Sequence, residues 1–201
     1  MKLRIFVMVF IFFSGLNLQA QLTKKWQKVF GGNNDDILTS IQYTAADKGF
    51  IIAGYSKSNI SGNKKENAYN NSYDFWLIKT IENGSIRWSK TIGSTASDIQ
   101  PIITQTREGG YLLVGASNSP VGGDKHADAY NKSYDYWAIK IDAQGNIQWE
   151  KNIGGISLDV PTIALQAKEG GYLIGGYSHS DSTEDKNQKN RGTPLWCDFW
   201  L

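Results

Sequence analysis

The chain has no excess charge of one sign, no cysteine framework, only two histidines and no apolar run long enough to cross a membrane. Its 201 residues carry 21 Lys and Arg against 19 Asp and Glu. Two of the cations, Lys2 and Arg4, lie in a leader-like N-terminus, and without them the balance is zero. A balanced chain has no electrostatic footprint for nucleic acid or for an anionic membrane surface. Cys197 is the only cysteine, so no internal disulfide can form. His126 and His179 have no partner at ligand spacing, which argues against zinc. No segment has the alternating oxygen ligands of a calcium loop, and 181–185 (Asp-Ser-Thr-Glu-Asp) comes nearest. There is no Gly-x-Ser-x-Gly elbow. No catalytic residue, metal or cofactor is therefore expected.

What is present begins with an address. Lys2 and Arg4 precede the nine apolar residues Ile5 to Phe13, and Ala20 supplies a small residue before Gln21. That is the pattern of a secretory signal over 1–21. Nine residues fall well short of the ~20 needed to span a bilayer. The chain is expected to be exported, to the medium or the outer cell surface, with Gln21 at or near its new N-terminus.

The remainder, 22–201, is one unit written three times, over about 22–81, 82–141 and 142–201. Trp26, Trp88 and Trp149 recur at intervals of 62 and 61 residues. Asp36, Asp98 and Asp159 keep that interval, as do Lys64, Lys125 and Lys186. Tyr73-Asp74-Phe75-Trp76 returns as Tyr134-Asp135-Tyr136-Trp137 and as Cys197-Asp198-Phe199-Trp200. So many matched positions at one period mark internal duplication.

Each unit reads as four strands rich in aromatic and β-branched residues. Two successive copies of these are Asp74 to Ile81 and Asp135 to Ile141, Ser85 to Ile92 and Asn146 to Ile153, Ile99 to Thr106 and Val160 to Ala167, and Gly110 to Ser117 and Gly171 to Ser178. Asn83-Gly84 and Gln144-Gly145 suit tight hairpins that need positive φ. The first and fourth strands are apolar on both faces, so each sheet should be covered on both sides. The long links, Lys57 to Ser72, Asn118 to Ser133 and His179 to Trp196, look like the crossovers from one sheet to the next. The expected fold is all-β: a β-propeller-like array of four-stranded antiparallel meander blades, about three blade-equivalents, an incomplete ring. The final strand at Asp198 would then pair with the first unit's second strand at Trp26. Open blade edges invite self-association.

The motifs aromatic-Asp-aromatic-Trp-x-x-Lys (Asp74 to Lys79, Asp135 to Lys140), Gly-x-x-x-Trp-x-x-x-x-Gly and Gly-Gly-Tyr-x-x-x-Gly-x-Ser (Gly109 to Ser117, Gly170 to Ser178) resemble the β-propeller repeats of secreted surface proteins in bacteria with a type IX secretion system. The resemblance covers about Trp26 to Leu201. It implies a secreted or cell-surface repeat protein rather than a reaction.

The leading expectation is a binding or scaffolding role toward a glycan or a protein, without catalysis. The alternatives are a truncated fragment of a larger surface propeller and a carbohydrate-active enzyme on a propeller scaffold. Asp74, Asp135 and Asp198 read as turn-forming carboxylates. Trp26, Trp76, Trp88, Trp137, Trp149 and Trp200 sit at repeat-invariant strand positions and read as core. The loop aromatics Tyr69, Tyr130 and Trp196 are the better ligand candidates. Lys64, Lys125 and Lys186 read as part of a solvated rim whose ion pairs contribute little.

Overall fold

The computed structural model describes residues 25–191 and 197–201, so the leader at 1–21 and the candidate Trp196 lie outside the described residues. The chain is all-β. Eleven strands are described: β1 (Asp36–Thr44), β2 (Gly49–Ser56), β3 (Asp74–Thr80), β4 (Ile86–Ile92), β5 (Asp98–Gln105), β6 (Tyr111–Ser117), β7 (Asp135–Ile141), β8 (Ile147–Ile153), β9 (Asp159–Gln166), β10 (Tyr172–Ser178) and β11 (Asp198–Trp200). They form three antiparallel sheets, ordered β1-β2-β3-β4, β5-β6-β7-β8 and β9-β10-β11.

The grouping differs from the expected one. The long link does not carry the chain between sheets, because the strands on either side of it pair with each other. Ser56 lies opposite Asp74 and Ser117 opposite Asp135. The crossovers are instead the short stretches 93–97 and 154–158. The reason is burial. Every residue of β3, β6 and β7 is buried, and β2 is nearly so. Strands apolar on both faces lose least when they occupy the middle of a sheet that is covered on both sides. The more polar β1, β4, β5 and β8 take the edges.

The chain ends differ as well. β11 pairs with β10 of its own unit, Ser178 opposite Asp198 and Gly176 opposite Trp200. Residues 26–30, expected as a strand, belong to none of the eleven described strands.

The sheets stack through one repeated contact. Phe75 of the first sheet meets Trp137 of the second at 5.5 Å between ring centroids. Tyr136 of the second sheet meets Trp200 of the third at 5.1 Å. Around the first pair, Ile51, Ala53 and Leu77 pack on Ile103, Leu113 and Ile139. Around the second, Leu112, Val114 and Ala138 pack on Ala164, Tyr172 and Ile174. Trp26, Trp88 and Trp149 each lie against the aromatic that opens the following apolar strand, Phe50, Tyr111 and Tyr172. The indole N–H of Trp26 donates to the Glu82 carbonyl and that of Trp88 to the Ala143 carbonyl, pinning each to the next hairpin. Those hairpins carry Gly84 at φ 78 and Gly145 at φ 86, as the sequence requires.

Core status is unequal among the invariant tryptophans. Trp137 is wholly buried, whereas Trp149 is 40 % exposed and Trp200 half-buried. Trp149 lies on the edge strand β8 and Trp200 on β11 of the third sheet, which holds three described strands, and among the described residues no further sheet packs on that side.

Gly154 shows how closely the crossover approaches the sheet. A β-carbon there would sit 2.4 Å from Asp135 Oδ1. The carboxylate is buried and cannot swing away, so the added methyl overpacks the site. Gly154→Ala should cost about 1–3 kcal/mol. Chemical denaturation of the variant checks this, and an unchanged midpoint would contradict it.

Candidate functional site

The three long loops, with the crossovers beneath them, form the recurring polar feature of the molecule. Each loop closes on itself through a small bridge, Ser61 with Lys64, Gly122 with Lys125 and Thr183 with Lys186. Each also donates a backbone N–H to the crossover glycine: Asn63 to Gly31, Asp124 to Gly93 and Asp185 to Gly154. The first two loops then make a short turn at Tyr69–Asn71 and Tyr130–Lys132.

Beneath the loops lies a buried charge network. Lys64, Lys125 and Lys186 are buried, contrary to their expected place on a solvated rim. Lys64 Nζ donates to Thr91 Oγ1 at 2.8 Å and stands 5.7 Å from the centre of the Trp76 ring. Lys125 Nζ donates to the Ser119 carbonyl at 3.2 Å and to Asn152 Oδ1 at 3.0 Å, 5.8 Å from the Trp137 ring. Lys186 Nζ donates to the Ser180 carbonyl at 2.6 Å and to Ser178 Oγ at 3.2 Å. The first two loops thus drive their lysines inward over a tryptophan face, where a cation is favoured. Burial lowers the pKa of Lys64 and of Lys125, against the pull of Asp74 and of Asp98.

Two families of aspartates surround each lysine. Asp36 accepts from the Gly32 N–H at 2.7 Å, Ser56 Oγ at 2.6 Å and Ser58 Oγ at 3.0 Å. Asp159 repeats this with the Gly155 N–H at 2.8 Å and Ser180 Oγ at 2.9 Å, and Asp98 accepts from the Ser94 N–H at 2.9 Å. The second family fastens the far end of each loop. Asp74 accepts from the Tyr69 N–H and Asp135 from the Tyr130 N–H, both at 2.6 Å. The recurring aspartates therefore work as turn-forming acceptors.

Ionising these acids costs energy. Burial pushes Asp74 up to about 8, and Asp98 and Asp135 up to about 6. The Oδ1 atoms of Asp74 and Asp135 are buried without a hydrogen-bond partner among the described residues. A group whose folded pKa lies above its ordinary 3.8 holds its proton more tightly in the folded state. Its stabilising effect is present below pH 4 and is lost as pH rises through the folded value. Asp47 opposes this at the acid end. Burial raises it, but hydrogen bonds from Lys79, Thr44 and the Gly49 N–H outweigh that and hold it at about 2. Lys79 Nζ lies 2.6 Å from Asp47 Oδ2, with Arg87 at 2.9 Å. Its contribution is present above about pH 4 and lost as pH falls toward 2. The melting temperature should therefore peak near pH 4–5 and decline toward pH 8. Asp74→Asn should flatten the decline; a melting temperature that rises from pH 5 to pH 8 would contradict the assignment.

The ligand candidates Tyr69 and Tyr130 tie neighbouring loops together. The Tyr69 hydroxyl bonds the Asp124 carboxylate, and the Tyr130 hydroxyl donates to Asp185 Oδ2 at 3.3 Å. Burial, together with Asp124, pushes the Tyr69 phenol up to about 12, so it stays neutral at physiological pH. Tyr69 lines a groove of about 690 Å³ with Lys65, Glu66, Lys90, Asp124 and Asn146. A second groove of about 840 Å³, lined by Thr95, Asn118, Asp128, Asn131 and Lys132, opens beside the loop of the second sheet. Both mix charges of either sign with amides and hydroxyls, which suits hydrogen bonding to a polar, uncharged ligand.

Among the described residues no three His, Cys, Asp or Glu side chains converge as a metal site would require. In the acidic stretch 181–185, Asp181 accepts from the Asn190 N–H and Asp185 from the Gly154 N–H, so both acids hold the loop. His126 is exposed, with its Nδ1 3.7 Å from Glu150 Oε1, and His179 lies against Tyr177.

The buried lysines were visible in the sequence only as a recurrence. Lys65, His126 and Asn187 vary beside them while the lysine stays fixed, and a solvated rim has no reason to fix a lysine.

No family model matches the chain, and no curated protein is significantly similar to it.

Proposed function

We propose that the chain is a run of β-propeller blades from an exported surface protein, acting as a binding scaffold without catalysis. The observation that carries this reading is repetition at every level. The two complete sheets share one strand order, the same pairing register and the same crossover, and the third follows it as far as β11. Four-stranded antiparallel sheets stacked face to face, joined from edge strand to edge strand, are how propeller blades are built. The signal-like leader and the resemblance to type IX surface repeats supply the expected address. No described unit departs from the others by gathering reactive groups, as an active site would demand.

The polar grooves beside the long loops are the proposed binding surface, and a glycan is the ligand class they fit best. Loops on a rigid scaffold commonly carry recognition. Screening the chain on a glycan array and against surface protein extracts tests this. Lys65→Ala should weaken any signal, because Lys65 lines the Tyr69 groove and its side chain is exposed. Absence of binding in both formats, or turnover of a polysaccharide, would overturn the reading.

A further inference from the structure

We infer that the chain forms its own cross-link, an amide between Lys125 Nζ and Asn152 Cγ made with loss of ammonia. It is a single reaction within one molecule, without turnover, and it is independent of the binding role.

The three buried lysines share one place in the repeat but meet different partners. Lys64 meets a hydroxyl, Thr91 Oγ1, which offers no acyl carbon to attack. Lys186 meets the Asn190 side-chain oxygen, with no acid bonded to the amide nitrogen among the described residues. Lys125 meets an amide and an acid together. Its Nζ lies 3.0 Å from Asn152 Oδ1, one bond from Cγ. Asn152 Nδ2 in turn donates to Asp135 Oδ2 at 2.8 Å. The second long loop, β8 and β7 supply one side chain each, and all three are buried. Burial holds the groups in place and keeps water from competing for the carbonyl.

An ammonium is no nucleophile and an amide is a poor electrophile, and the site acts on both. Burial lowers the pKa of Lys125, against the pull of Asp98, Asp135, Glu150 and Asp128, and so raises the share of neutral amine. Burial pushes Asp135 up to about 6, with Asp159 adding to the rise and Asn152, the Tyr130 N–H and Lys125 opposing it. Asp135 Oδ1 is buried without a hydrogen-bond partner among the described residues and can carry a proton. The Nζ lone pair attacks Cγ to give a tetrahedral centre. Asp135 gives a proton to Nδ2 and takes one from Nζ. The Cγ–Nδ2 bond breaks, ammonia leaves and the new amide remains. Atoms balance without an oxidant or a co-reactant.

The product ties the second long loop to the edge strand β8, in a chain whose lone cysteine can form no internal disulfide. It closes residues 125–152 into a covalent ring, which restricts the unfolded chain as a disulfide does. A chain taken straight after folding carries the charge interactions of Lys125, and the bond removes them as it forms.

The folded chain, incubated for days near neutral pH, should become lighter by one ammonia. A peptide map by tandem mass spectrometry should then join the Lys125 peptide to the Asn152 peptide. Cyclisation of Gln21 at a new N-terminus, or of Asn83-Gly84, also sheds ammonia, so the joined peptide decides. Asn152→Thr copies Thr91, the residue that the first sheet carries at this place. It should leave the circular dichroism unchanged and abolish the joined peptide. Asp135→Asn should slow the joining at least ~10-fold. Lys125 recovered as free lysine after prolonged incubation, or joined through Asp135 with loss of water, would overturn the inference. Joining at an unchanged rate in Asp135→Asn would overturn the part given to the acid.

Discussion

Trp137→Ala should unfold most of the molecule, whereas Trp149→Ala should leave it folded. Trp137 is wholly buried between the first two sheets, against Phe75 on one side and under the Lys125 ammonium on the other. Its indole N–H donates to Glu150 Oε2 at 2.5 Å. Truncation removes the packing, opens a cavity and strips a half-buried carboxylate of its donor. Changes of this kind cost about 3–5 kcal/mol, a large share of an ordinary domain's 5–15 kcal/mol. Trp149 is 40 % exposed and contributes chiefly its contact with Tyr172 at 5.6 Å. Its loss should cost about 1 kcal/mol. Denaturant melts of the two variants compare the costs directly; equal losses would show that the third sheet packs as tightly as the second.

That contrast marks where sequence reasoning stops. The period, the strands and the hairpin glycines were legible because each is written locally. Asn83-Gly84 needs no tertiary information to be a turn, and Gly84 has φ 78. Which strands share a sheet was not local. The sixteen-residue link at 57–72 looked like a crossover because it is long. The decisive fact is that β2 and β3 are both apolar on two faces, so both belong in a sheet centre and must pair. Trp137 and Trp149 likewise each recur with the period, and only the neighbouring sheet decides how deeply each is buried.

The candidate site shows the same boundary. Tyr69 and Tyr130 were recognisable as matched loop aromatics, yet their bonds to Asp124 and Asp185 depend on how successive loops abut. Trp196 lies outside the described residues. The interior place of Lys125 follows from the turn at Gly122–Gly123, which directs the side chain under its own loop. Gly122 has φ 152 and Gly123 φ 53, and the Lys125 N–H bonds back to the Gly122 carbonyl.

Lys125→Met should then destabilise the chain by about 3–5 kcal/mol, the usual cost of removing one partner from a buried ionic group. A lysine on a solvated rim would cost less than about 0.5 kcal/mol. Methionine fills much of the same volume, so the loss reflects charge and hydrogen bonding rather than a void. The substitution leaves Asn152 Oδ1 and the Ser119 carbonyl without their donor. It also takes the counter-charge from Asp98 and Asp135. Asp98→Asn added to Lys125→Met should recover part of the loss, because an amide needs no counter-ion in a buried site. The coupling between the two changes should fall within about 0.5–3 kcal/mol at pH 7.5. Burial holds Asp98 at about 6, so at pH 5 the acid is mostly neutral in the wild-type chain and the coupling should shrink. A double-mutant cycle at the two pH values reads this out. A coupling that is zero, or that does not change with pH, would remove the charge interaction and leave Lys125 as a loop-packing residue alone.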